Sequence, residues 1–285
     1  MYCGKKLYFK QFFPAILPTW NHSLIFRMIR AICCVPVSPL RAEPAHRTEM
    51  VSQLIFGECC EILEQTKDWF RIRVKYDSYE GWCTASHLVE IDEKEYETEG
   101  YALTPDWVTA LEYNGHPMMV PMGSHLTAMK NGRAHWRKNQ VHYKGKINDP
   151  STCATDAKSI RQLTYKFLNI PYLWGGKSVF GLDCSGFTQT VYKFLNMPLL
   201  RDAYLQATQG EAIGFLEETK TGDLAFFDNE EGRITHVGIL LNSNEIIHAS
   251  GKVRIDKIDN MGILQSETFQ RTHHLRVIKR LLPAT

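Results

Sequence analysis

The chain has 285 residues, of which 44% are hydrophobic and 22% charged, and its formal net charge is +2. That length allows about two domains, or three small ones. A charge so near neutral gives no electrostatic footprint for nucleic acid, which would want a strongly basic face, and no apolar run reaches the roughly 18 residues of a membrane span.

Residues 1–27 place Lys5, Lys6 and Lys10 before a short apolar stretch, Phe12 to Leu17, that Pro14 interrupts. No small-residue cleavage site follows, so an artefactual start ahead of Met28, or a disordered tail, fits better than an export signal. Organised sequence begins after Met28, and residues 28–91 have an all-β texture. Leu40-Arg41-Ala42-Glu43-Pro44, Glu49 to Glu58, the alternating Trp69 to Val74 and Tyr79 to Cys83 are short strand signals with Gly, Pro and Asp turns between them. So many short strands in ~60 residues predict a small barrel. The acidic residues 92–99 predict a solvated linker. Residues 100–148, with turns at Asn114-Gly115, Met122-Gly123 and Asn131-Gly132, predict a second, divergent barrel.

Residues 152–285 have a different texture. A helix is expected near 155–168, with Ile160, Leu163, Phe167 and Leu168 at helical spacing. In Gly181-Leu182-Asp183-Cys184-Ser185-Gly186-Phe187, Asp183 is a helix N-cap. Cys184 then falls in the first turn, where unpaired N–H groups and the macrodipole favour an anion. A buried structural cysteine is the competing reading of that residue alone. Strands follow from Asp223 onward. The stretches 234–241 and 245–250 predict a hairpin around Asn242-Ser243-Asn244, in which a three-residue loop pairs Leu241 with Glu245 and sets His248 opposite Gly238. His236 and His248 are then diagonal neighbours on one face, within reach of a shared site. His273 and His274 read as surface residues. The whole predicts an α+β unit with helices packed on an antiparallel sheet.

The eight cysteines include the adjacent pairs Cys33-Cys34 and Cys59-Cys60, but no CxxC. A structural zinc site and a disulfide framework therefore have little support, and a reducing, cytoplasmic location is the expectation, with export to the periplasm or cell wall as the alternative.

Pro171-Tyr172-Leu173-Trp174-Gly175-Gly176, Asp183-Cys184-Ser185-Gly186-Phe187, Arg201-Asp202, Gly222 to Phe227, His236-Val237-Gly238-Ile239 and Ile247-His248-Ala249 stand in the order of the NlpC-type cysteine peptidases, which the chain resembles over about residues 155–280. The resemblance implies a papain-like catalytic domain preceded by two bacterial SH3-like barrels. It implies Cys184 as nucleophile, His236 as base, His248 as the third triad member and Tyr172 near the oxyanion. The Cys184 sulfur and the His236 ring should then lie within hydrogen-bond reach. With two SH3-like domains, the chain resembles the γ-D-glutamyl-L-diamino-acid endopeptidases acting on peptidoglycan-derived peptides. By that resemblance Asp202 pairs with a free N-terminal ammonium, and Glu49, Tyr79 and Ser185 join the substrate-binding set. A helix cap or an Arg201 partner is the competing role for Asp202. No metal, no other cofactor and a monomer are expected. A wall-binding protein with an idle catalytic domain, a broad wall hydrolase, and an amide hydrolase or acyltransferase on the same fold are the alternative functions.

Overall fold

A computed structural model describes residues 28–98 and 101–282. Residues 1–27 lie outside the described residues, and so does the reading of an artefactual start or a signal.

The first unit is a seven-stranded antiparallel sheet made of β1 (Ile29–Cys33), β2 (Val37–Arg41), β3 (Met50–Ile55), β4 (Cys59–Gln65), β5 (Trp69–Val74), β6 (Glu80–Thr84) and β7 (Leu88–Glu90). Its order is β3-β2-β6-β5-β4-β1-β7. Alternation decides the faces: Ile72 and Val74 of β5 are buried, while Arg71 and Arg73 point outward to Glu80. Cys33, Cys60 and Cys83 pack inside with Leu40, Leu54 and Ile62, acting as small hydrophobic side chains. All seven cysteines among the described residues are free. Strands β1, β4 and β7 carry no strong turn or alternation signal of their own and are recognised only through their ladder partners.

The acidic stretch after β7 is not simply a solvated linker. Glu93–Tyr96 forms a helical turn, α1, closed by a capping box between Asp92 and Glu95. Tyr96 is buried, and the Arg30 guanidinium lies 4.5 Å from its ring centre.

Strands β8 (Val108–Tyr113), β9 (His116–Pro121), β10 (Arg133–Trp136) and β11 (Asn139–His142) form a four-stranded sheet of order β10-β11-β8-β9. The fully buried Trp136 packs 5.2 Å from Phe56 of the first unit. Ile32, Phe56 and Ile91 share one apolar cluster with Leu111, Val120 and Val141, so the two β units have a common core.

The third unit begins with α2 (Ala157–Tyr165), capped by Asp156, and a small pair, β12 (Lys177–Ser178) and β13 (Gly181–Leu182). Then come α3 (Cys184–Phe194) and α4 (Ala203–Gln206), followed by β14 (Glu211–Ile213), β15 (Leu224–Asp228), β16 (Ile234–Asn242), β17 (Glu245–Ser250), β18 (Lys252–Asp259), β19 (Gly262–Leu264) and β20 (Arg271–Arg280). The sheet runs β14-β20-β15-β16-β17-β18-β19, and β19 also pairs with β20, which closes it into a barrel. Closure removes free strand edges. Phe226 and Phe227 divide between the two faces. Phe226 joins Val237, Ile239 and Ile247 under the apolar side of α3, whereas Phe227 joins Leu240 and Ile246 in a separate cluster.

The first unit docks on the third through buried polar contacts. Ser52 Oγ accepts from Arg201 Nε at 3.0 Å, Gln53 Oε1 accepts from the Lys177 N–H at 3.0 Å, and Asp77 Oδ2 accepts from Gln189 Nε2 at 2.9 Å. The loop before α3 comes against β3: Gly175 has φ +73°, and a Cβ there would stand 2.3 Å from the Met50 carbonyl oxygen. Only glycine allows both that backbone and that approach.

Candidate active site

Cys184 opens α3. The Asp183 side chain accepts from the Gly186 N–H at 2.6 Å, closing the helix start around the thiol. Its other oxygen accepts from the Gly175 N–H at 2.9 Å, so one carboxylate holds both the nucleophile helix and the loop opposite it. Asp183 is in turn clasped by Arg201, with Nη1–Oδ1 3.0 Å and Nη2–Oδ2 2.6 Å. Arg201 is 1% exposed, and the Ser185 hydroxyl sits between the two, 2.9 Å from Arg201 Nη1 and 3.2 Å from Asp183 Oδ1. The Ser185 hydroxyl is thus engaged by the ion pair, while the residue also lines the cavity over Cys184.

His236 and His248 come together as the face argument requires, but by another route. The hairpin pairs Asn242 with Glu245 over a two-residue turn, and the register shifts between Leu240 and Asn242. Leu241 is the extra residue of a bulge, which restores Gly238 opposite His248. A Cβ on Gly238 would stand 2.8 Å from His248 Cβ, so the absence of a side chain there gives His248 its room. His236 Nε2 lies 2.8 Å from His248 Nδ1, and His248 Nε2 lies 3.0 Å from Asp256 Oδ2. His273 is not a plain surface residue: its ring stacks on His236 at 4.1 Å and is partly buried, whereas His274 is exposed.

The thiol makes no hydrogen bond to this relay. Its hydrogen-bond partner is the Thr235 carbonyl oxygen, 3.9 Å away, and the Cys184–His236 bond expected of the pair is not formed. Thr235 is bulged out of the β15–β16 ladder, which pairs Phe227 with His236 and Asp228 with Ile234. Burial pushes the Cys184 thiol up to about 12, and the neighbouring Asp183 charge adds to the rise. Burial also holds His236 well below its usual value, helped by His248 and His273, and burial lowers His248 against the pull of Asp256. Burial thus opposes the charged form of the thiol and of both imidazoles.

A cavity of about 550 Å³ opens over Cys184, lined by Tyr172, Trp174, Asp202, Tyr204 and, from the first barrel, Glu49 and Tyr79. Glu49 Oε1 accepts from Trp174 Nε1 at 2.7 Å, which fixes the barrel residue at the rim. Asp202 precedes α4, yet its side chain makes no cap bond, and the Arg201 guanidinium goes to Asp183 instead. Neither competing role takes up the Asp202 carboxylate. Burial raises Asp202, against Arg201 and a hydrogen bond from Tyr79, and burial raises Tyr79 to about 12 with Asp202 contributing. Burial likewise raises the Tyr172 hydroxyl, with Cys184 next in effect.

The sequence reading missed Asp256, the Asp183–Arg201 pair and the stacking of His273. Asp256 carried a usable signal. In β18, Arg254 stands opposite His248, and strand alternation returns Asp256 to the same face.

A thiol at a helix start beside a paired-imidazole relay, with helices packed on a closed antiparallel sheet, defines a papain-like cysteine peptidase. Residues 169–272 match the NlpC/P60 family and residues 40–88 the bacterial dipeptidyl-peptidase Sh3 domain. The chain belongs to the NlpC/P60 family. It is 27% identical over 247 residues to a gamma-D-glutamyl-L-lysine dipeptidyl-peptidase of Bacillus cereus, covering 76% of this chain and 73% of that one. A protein of the same name from Bacillus subtilis is 43% identical over 95 residues, but the match spans only 33% of this chain and 32% of that one. A "probable endopeptidase" of Haemophilus influenzae is 35% identical over 112 residues, 39% of this chain and 67% of that one. Among solved structures, an NlpC/P60 family protein from Bacillus cereus superposes with a TM-score of 0.74 at 21% identity, over 89% of this chain and all of that one. That likeness carries the fold.

Proposed function

We propose that this peptidase cleaves the bond between γ-D-glutamate and a diamino acid in peptidoglycan-derived peptides, and that it takes those whose N-terminal L-alanine is free. The observation that carries this reading is the Asp202 carboxylate, raised by burial and engaged neither as a helix cap nor by the Arg201 guanidinium, beside Tyr79 and Glu49 in the lining of the cavity over Cys184. A half-buried acid in that position gains from an ammonium partner more than it would in water. The names of the two Bacillus relatives support the bond type.

In this reading Cys184 is the nucleophile and His236 the base. His236 accepts the thiol proton as the sulfur attacks the γ-glutamyl carbonyl carbon, then hands it to the diamino-acid nitrogen as the C–N bond breaks, which leaves a thioester, a free amine and a neutral His236. The developing oxyanion is met by the Cys184 backbone N–H at the helix start and by the Tyr172 hydroxyl. Water, deprotonated by His236, then breaks the thioester. His248 orients the His236 ring. Digestion of defined muropeptides followed by mass analysis tests the reading: release of L-Ala-γ-D-Glu supports it, and cleavage at any other bond rejects it.

A further inference from the structure

We infer that Asp256 is a positioning residue, a fourth member of the relay that sets which nitrogen of His236 is free to take the thiol proton. The inference rests on the reading of His236 as base.

Asp256 is 2% exposed, and every partner of its carboxylate is a donor. Oδ2 receives His248 Nε2 at 3.0 Å and Arg254 Nε at 2.8 Å. Oδ1 receives Arg254 Nη2 at 3.1 Å and the Ser266 N–H at 2.8 Å. Burial alone would raise this acid, but the bonds from His248, Ser266 and Arg254 win and hold it well below the usual carboxylate range. An ionised carboxylate can only accept. The proton of neutral His248 must then sit on Nε2, which leaves Nδ1 bare. That bare Nδ1 is the atom 2.8 Å from His236 Nε2, so His236 must carry its proton on Nε2 and keep Nδ1 as the lone-pair nitrogen. Two successive hydrogen bonds thus transmit one choice of tautomer from a buried carboxylate to the base. The groups packed around the His236–His248 pair are Arg254, Asp256, His273 and Phe227, and among them only Asp256 offers an acceptor to His248 Nε2.

Asp256→Asn is the discriminating change because it keeps shape and removes charge. An amide NH2 at the Oδ1 position would face two donors, the Ser266 N–H and Arg254 Nη2. At the Oδ2 position it faces Arg254 Nε and a histidine that can become an acceptor. The second placement costs less, and it inverts both rings: His248 Nδ1 becomes the donor, and His236 Nδ1 acquires the proton.

The test is nitrogen-detected NMR of histidine-labelled wild type, Asp256→Asn and Asp256→Glu, each also in a Cys184→Ala background so that turnover plays no part. The wild type should show protons on Nε2 of both rings, Asp256→Asn protons on Nδ1 of both, and Asp256→Glu the wild-type pattern. On a cleaved muropeptide, Asp256→Asn should lower kcat by ~10³-fold or more with KM within about threefold, as loss of tautomer control does elsewhere, and Asp256→Glu should recover most of that loss. Unchanged tautomers in Asp256→Asn, or a kcat within threefold of wild type, would overturn the inference. The tautomer readout needs no substrate, so a wrong choice of scissile bond leaves it intact.

Discussion

Arg201 Nη2 and Asp183 Oδ2 stand 2.6 Å apart, a buried ion pair linking residues 18 positions apart and holding the start of the nucleophile helix in place. Asp183 caps that helix, accepts from the loop at Gly175 and touches Ser185, while Arg201 also reaches Ser52 of the first barrel. Removing one partner of such a pair leaves the other charge buried alone. Arg201→Met should therefore lower stability by ~3–5 kcal/mol. Urea unfolding of the two proteins measures this, and a loss below about 1 kcal/mol would mean that the pair carries little of the fold.

The second prediction concerns the amine. If Asp202, with Tyr79 and Glu49, reads a free ammonium, acetylating the N-terminal alanine leaves that carboxylate without its partner. The carboxylate is half-buried, so the cost is less than for a fully buried pair, and kcat/KM should fall by ~10²-fold. Asp202→Ala should narrow the gap between free and blocked peptides. Equal rates on both peptides with the intact enzyme would remove the selectivity.

A third expectation follows from the resting thiol. With Cys184 pushed up to about 12 and no bond to His236, alkylation by iodoacetamide should be slow at pH 7 and climb steadily to pH 9 and beyond. A rate that plateaus below pH 7 would instead reveal a preformed thiolate–imidazolium pair. Cys184→Ala should abolish the labelling at this site and reduce turnover by at least ~10³-fold, with its thermal midpoint close to that of wild type.

Acid should loosen the junction between the first barrel and the catalytic domain. Glu58 is 1% exposed and lies 2.5 Å from Lys193 Nζ and 3.1 Å from Lys177 Nζ. Burial opposes its charge, but Lys177 and Lys193 prevail and hold it far below the usual range. Its contribution is therefore present above the unfolded value near ~4.3 and fades as pH falls further. His125 adds to the same trend, since burial and then Lys193 lower it to about 3. Its contribution is complete above ~6.5 and is lost as pH drops towards 3. Stability measured against pH should begin to fall below about 6.5 and fall more steeply below about 4.5. Glu58→Gln should cost ~3–5 kcal/mol at pH 7 and remove the steeper part. An unchanged acid limb in that variant would clear Glu58 of the role.

The sequence alone determined the local elements and where the candidate reactive groups fall along them. Asp183 before an apolar helical run marks the start of α3, and a thiol one residue later needs no tertiary contact to sit in the first turn. Alternation in β16 and β17 was enough to put His236 and His248 on one face, although the loop was one residue shorter than expected and a bulge at Leu241 made up the difference. Period and capping are properties of neighbouring residues, and so they can be read along the chain. Everything that depends on separated segments meeting was settled by the tertiary structure alone. Arg201 finding Asp183, Asp256 closing on His248, His273 stacking on His236 and Glu49 reaching Trp174 each join residues whose types fit many partners. Burial is likewise collective. The same cysteine that local electrostatics would acidify is raised by the desolvation that packing around α3 imposes, because the cost of charging a buried group depends on everything that has replaced the water around it.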